Sequence, residues 1–311
     1  MQTFFLIIVV LIRVIVNPIT NVFQKQLTKT QDPLFVNLVS YGLLSLASML
    51  LILDFQIQSI PTAFWVYAVL GGIFGALGNG FIIKALESGQ LSVLGPINAY
   101  KAIIGLIFAF LLIGEVPNLW SLVGVVFIIV GSYFVFENEE GTFSWSIFKQ
   151  KSIQYRIAAL ILTGIQAVTD KQVILQSNLK YAFAGWCIFG FLFSVPLFLT
   201  SKVSFKKQCQ QISSPEMLKY LGLVISVSVM VAATNYTFLN MQVGAALALF
   251  QISILVSVFL GHHFFKEEGL FKKLLGSLIM MVGSLFILTF KIILIFKLFL
   301  IFYYKLFFFV S

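Results

Sequence analysis

The chain is poor in charge, poor in cysteine and without any signature of a catalyst. Charged residues make up 10% of it, against about 25% in an ordinary soluble domain, which excludes a water-exposed globule. Two cysteines, Cys187 and Cys209, are too few and too differently placed for a disulfide framework or a metal set. HExxH, GxSxG and the phosphate-cradling P-loop are all missing. His262 and His263 have no acidic or cysteine partner at metal-ligand spacing. No enzymatic activity, metal or cofactor is therefore expected. The first apolar stretch has no basic leader and no small-residue cleavage site, so it is expected to be retained as a span. The formal charge of +9 is spread over connecting segments rather than gathered with aromatics on one face. That distribution suits anionic lipid headgroups and not nucleic acid.

What the chain has in abundance is hydrophobic length: 60% of its residues are apolar. A helix needs roughly 20 apolar residues to cross a bilayer core, and ten such stretches are legible: 4–24, 34–53, 62–84, 91–113, 118–136, 156–177, 181–200, 217–240, 243–264 and 270–290. The runs are continuous rather than alternating, which predicts helices and not a barrel. The fold class expected is an all-α polytopic membrane protein, seated in the cell's cytoplasmic membrane.

The stretches fall into two sets of five. Residues 115–136 are rewritten at 267–288, with agreement at Glu115/Glu267, Leu122/Leu274, Gly124/Gly276, Val130/Val282, Gly131/Gly283, Ser132/Ser284 and Phe134/Phe286. An odd number of spans makes the second unit enter the membrane from the opposite face, so the units are expected as inverted repeats, the construction of many secondary transporters. The division predicted is 1–140 and 156–290, joined by a polar linker over 137–155, with a Phe- and Lys-rich tail at 291–311 that reads as interfacial or dispensable.

Polar residues inside the apolar stretches are few and ordered. Arg13, Asn17, Asn21 and Lys25 recur every four residues in the first span, which places them on one helix face. An arginine deep in a span costs about 2.5–3.5 kcal/mol, so it turns toward the bundle or a wet cavity. Asn98, Tyr100 and Lys101 follow Pro96 in the fourth span, and Thr163, Gln166 and Asp170 form a second stripe in the sixth. Lys101 and Asp170 could form a structural ion pair, or Lys101 could meet an anion. Asn235 and Gln251 read as helix–helix hydrogen bonds, and Glu115 and Glu267 as caps or turns. The glycines Gly71, Gly72, Gly75, Gly78 and Gly80 of the third span read as packing. Pro18, Pro96 and Pro196 lie within spans and free the carbonyls of Val14, Ser92 and Leu192.

These features together resemble an EamA-type transporter of the drug/metabolite transporter superfamily. The resemblance covers residues 1 to about 290. It is carried by the five-plus-five repeat, Pro96, the Gly114–Glu115 turn, its echo Lys266–Glu268, and the glycines Gly124, Gly131, Gly276 and Gly283. Asn21 with Lys25, and Asp170 with Lys171, are similar to that family's polar positions. The second half departs at the proline, where Ala248 stands in the place of Pro96. The resemblance implies an inverted two-repeat fold, alternating access and a small metabolite such as an amino acid as cargo. It also implies cytoplasmic termini, whereas the lysine and arginine balance of the loops, thirteen against five, places them outside.

The expected site is Arg13, Asn17, Asn21, Asn98, Tyr100, Lys101, Gln166 and Asp170. Arg13 and Lys101 would hold a carboxylate or phosphate, the amides would orient the solute, and Asp170 would exchange a coupled proton. The cargo expected is a small polar, anionic or zwitterionic metabolite; the sequence does not set the oligomeric state, and a monomer would suffice. The different reading, a membrane scaffold or assembly factor, makes the polar stripes helix glue and predicts no solute flux.

Overall fold

Backbone amides in hydrocarbon must bond within their own segment, and the apolar stretches satisfy this as helices. The computed structural model describes residues 2–52, 60–113, 116, 118–136 and 145–287; the tail at 291–311, Glu115 and residues 137–144 of the linker fall outside them. Among the described residues there is no strand. The helices are α1 (Gln2–Leu27), α2 (Pro33–Met49), α3 (Thr62–Ser88), α4 (Leu91–Leu94), α5 (Tyr100–Ile113), α6 (Leu119–Val135), α7 (Lys151–Leu175), α8 (Leu179–Leu199), α9 (Phe205–Gln210), α10 (Ser214–Asn240), α11 (Val243–Phe250), α12 (Ser253–Phe265) and α13 (Leu270–Ile287). Among the described residues eight helical runs are long and apolar enough to cross a membrane, and two further apolar helices, Leu91–Ile104 and Leu119–Val135, are shorter.

Local chemistry sets the ends. Asp32 accepts from the amides of Leu34 and Phe35 ahead of Pro33, Asn118 accepts from Ser121, and Asn178 from Tyr181, each satisfying helix N-terminal donors with a side-chain oxygen. α1 continues past Pro18, and α8 past Pro196.

Three local expectations change. The fourth stretch is not one helix: α4 ends at Gly95 and a 3-10 turn over Pro96–Ala99 leads into α5, because Pro96 has no amide to offer. The ninth stretch also breaks, between α11 and α12. There Gln251 and Ile252 bond back three residues to Ala248 and Leu249, although no proline or glycine stands at the break. Finally, α7 begins at Lys151, five residues before the sixth stretch, so Arg156 is buried about one and a half turns inside a helix rather than at its edge.

The two halves interlock. α1 packs on α10, α3 on α7, α2 on α8, and α4 on α12. Close approach is bought by glycine. On α3, a Cβ at Gly78 would stand 2.9 Å from Thr163, and Gly71 and Gly75 lie against Asp170 and Gln166. The packing role read for these glycines is what they have, and it sets the polar stripe of α7 inside the bundle. Large apolar side chains such as Phe4, Leu46, Leu122, Leu199 and Phe271 remain exposed on the outside, a surface that water does not tolerate over such an area and lipid does.

Candidate functional site

A cavity of about 170 Å³ lies where the two halves meet, well under the roughly 300–1,000 Å³ of pockets for drug-sized ligands. The one-face stripe of α1 turns inward: Arg13, Asn17 and Asn21 line the cavity, while Phe5, Ile8, Leu11 and Ile15 on the same helix stay exposed outside. The stripe of α7 faces them with Thr163, Gln166 and Asp170, and the broken fourth stretch contributes Asn98 and Lys101. Seven of the eight residues singled out from the sequence thus share one space. The eighth, Tyr100, does not. Its hydroxyl lies 2.7 Å from the Ser132 hydroxyl and its ring stacks on Phe136, because one step along a helix turns a side chain about 100° from its neighbour.

The charged groups are held by neutral partners. Arg13 lays its guanidinium 3.9 Å above the Phe250 ring and points Nε at the Thr234 hydroxyl, 3.5 Å away. Lys101 Nζ is 3.3 Å from Thr163 Oγ1, and Gln166 donates to Asp170 at 3.2 Å. The ion pair that Lys101 and Asp170 could have made is not formed; among the described residues, neither has a charged partner within salt-bridge distance.

Reading the sequence alone missed several lining residues. Arg156 is the most important: it is buried, donates from Nε to the Leu94 carbonyl at 3.0 Å, and donates from Nη2 to Asn98 Oδ1 at 2.9 Å. The signal was present, since Arg156, Thr163 and Asp170 are spaced by seven, two helical turns each. Asn79, hidden among the glycines of α3, lines the cavity and joins Gln24 to Asn37 by bonds of 3.0 and 2.7 Å. Asn235 and Gln251 also line it. Gln251 donates to the Asn98 carbonyl at 3.4 Å, so the breaks in the fourth and ninth stretches touch each other beside the cavity.

One end of the bundle is tied by Lys25, the last member of the α1 stripe. Its ammonium bonds the Gly89 carbonyl and Glu267 Oε1, both at 2.8 Å. Glu267 in turn accepts from the amides of Leu91 and Ser92 at 2.8 and 2.7 Å. It is a helix cap, as expected, but of α4 in the other half of the chain. Burial alone would raise the carboxyl of Glu267; the hydrogen bond and charge of Lys25 and the bonds from Ser92 outweigh it and hold it below the ordinary carboxylate range. Among the described residues, no group of three or more metal-ligating side chains occurs.

Apolar helices long enough to span a bilayer, packed around a charged, polar-lined hollow, make this a multi-pass membrane protein. Residues 4–137 match the model of the EamA-like transporter family, part of the drug/metabolite transporter superfamily. No curated protein matches the chain. Among solved structures 23 chains match. One, a crystal structure described only as that of a protein, is 14% identical with a TM-score of 0.59, covering 90% of this chain and 94% of its own; at that identity the likeness is one of fold.

Proposed function

We propose that the protein is a secondary transporter with ten spanning segments in two inverted five-helix repeats, carrying a small polar, anionic or zwitterionic metabolite by alternating access. The observation that carries the reading is the meeting of Arg13, Asn17, Asn21, Asn98, Lys101, Gln166 and Asp170 in one cavity between the halves. A scaffold has no need to gather its buried polar groups around an empty space, because each is cheapest when paired with another.

The contacts between halves support the repeat. With spans one to five matched to six to ten, the pairing of α1 with α10 is exchanged with the pairing of α3 with α7. The same exchange relates Gly124 against Gly283 to Gly131 against Gly276. Contacts that swap in this way are what a two-fold axis between the units produces. Two further features fit a site at a repeat interface: the helices are broken there, and their breaks adjoin the cavity. Arg13 and Lys101 would hold the anionic group, the amides of Asn17, Asn21, Asn98 and Gln166 would orient the solute, and Asp170 would take and release a coupled proton.

Counterflow in proteoliposomes tests this. Vesicles with purified protein, preloaded with unlabelled solute, are expected to accumulate labelled solute from a panel of amino acids, carboxylates and phosphate esters. Correctly folded protein that moves none of them would leave the scaffold reading in its place.

A further inference from the structure

Resting on that reading of the cavity, we infer that the cargo carries two negative charges on a small body, a dicarboxylate or a phosphate monoester rather than a neutral zwitterion. Three cations enter the cavity from three different segments, Arg13 on α1, Lys101 on α5 and Arg156 on α7, and one acid, Asp170, faces them. Lys101 lies within electrostatic range of both guanidiniums. Among the described residues none of the three has a carboxylate partner.

The charge balance does not depend on how Lys101 and Asp170 share one proton between them. With Lys101 and Asp170 both ionised the cavity carries two net positive charges; with the proton passed from one to the other, and both neutral, it carries the same two. A zwitterion leaves that excess untouched, and a monoanion removes half of it. A dianion cancels it, and in a low-dielectric space uncompensated like charges are the costly alternative.

The residue type points the same way. The chain has eighteen lysines and two arginines, and both arginines line this cavity. A composition that favours lysine everywhere else keeps guanidinium where a planar fork with five donors can grip two oxygens at once. Each fork is also fixed in place: Arg13 by the Phe250 ring, Arg156 by Leu94 and Asn98. Arg156 uses two donors on those partners and has others left for a solute. The guanidiniums approach from opposite halves of the chain, which suits two separated anionic oxygens or one phosphate gripped from two sides.

The test is competition against transport, or against thermal stabilisation of the purified protein, by matched probes: succinate, glycerol phosphate, butyrate and alanine. Succinate or glycerol phosphate is expected to outcompete butyrate and alanine by roughly tenfold or more, and the difference between the first two says whether carboxylate or phosphate is the cargo. Arg156→Gln is expected to remove most of that preference while leaving weaker binding of butyrate. Should that variant fail to fold, Lys101→Met is expected to shrink the preference in the same direction, read by thermal stabilisation. Alanine binding as well as or better than both dianions overturns the inference and leaves a transporter standing. No binding or flux with any probe, by folded protein, overturns the transporter reading and the inference together.

Discussion

Lys25 and Glu267 lie 242 residues apart in the chain and 2.8 Å apart in space, their ion pair closing one end of the bundle between α1 and the α12–α13 turn. Both side chains are largely buried, with 15% and 5% of their surface exposed. Glu267 also caps α4, and Lys25 reaches the Gly89 carbonyl that precedes it. One carboxylate therefore holds α1, the start of the broken fourth stretch and the second half together.

Removing Lys25 strands that carboxylate. Breaking one partner of a buried pair costs about 3–5 kcal/mol, so Lys25→Met and Glu267→Gln are each expected to lower the unfolding temperature in detergent clearly, the glutamine because its single oxygen replaces only one of the two that accept from Leu91 and Ser92. Equal, small losses in both variants would mean that the pair holds nothing together.

The same pair sets a pH dependence. Glu267 is held below the ordinary carboxylate range in the folded protein, so its contribution to stability is fully present above that range. It is lost as pH falls through the lowered value. Thermal unfolding followed from neutral to acid pH is expected to show wild type losing stability more steeply than Glu267→Gln. Parallel curves would remove Glu267 from the account.

The crossing of α6 with α13 depends on four glycines. A Cβ at Gly131 would meet the Gly276 carbonyl oxygen at 2.5 Å, and one at Gly124 the Gly283 carbonyl oxygen at 2.6 Å. Alanine at either place is expected to force the helices apart at a cost of about 1–3 kcal/mol, read as lowered thermal stability. Gly244→Ala is the control, since nothing lies within 4 Å of its added methyl, and it is expected to cost nothing.

Neighbouring residues of α5 separate packing from function. Tyr100→Phe removes the bond to Ser132 and is expected to cost about 0.5–1.5 kcal/mol of stability with transport intact. Lys101→Met is expected to fold at least as well as wild type, because it removes a buried cation without a charged partner, and to lose transport. The reverse pattern, a dead Tyr100 variant beside an active Lys101 variant, would place the site elsewhere.

Much of this was legible because lipid imposes simple rules. Apolar length marked where helices run, and a polar residue every fourth position on α1 marked which face turns inward. Pro96 marked a freed carbonyl within the fourth stretch, though not that the helix would stop there. The matching interruption at Gln251 was not announced, because Ala248 can continue a helix and the break is set by its tertiary surroundings. Arg156 was hidden by its position: it opens the sixth stretch just after Lys149 and Lys151, and a cation there reads as a charge at the membrane edge until the helix start at Lys151 is known. Asn79 was masked by the glycines around it. Tyr100 was taken for a site residue because it adjoins Lys101 in sequence, where helical geometry sets the two apart. Glu267 was read as a cap, but a sequence cannot say that the helix it caps begins 176 residues earlier.

The central claim is a single cavity reached from either side of the membrane, and a cysteine at Asn17 tests it most directly. Asn17 lines the cavity; of the native cysteines, Cys187 is buried and Cys209 exposed, so Cys209 is replaced by serine first. A membrane-impermeant thiol reagent is applied to one face of sealed vesicles and then to the other. The account predicts labelling of the Asn17→Cys protein from both faces, and protection from both by a transported solute. Labelling confined to one face under every condition, or no labelling in folded protein, would contradict it.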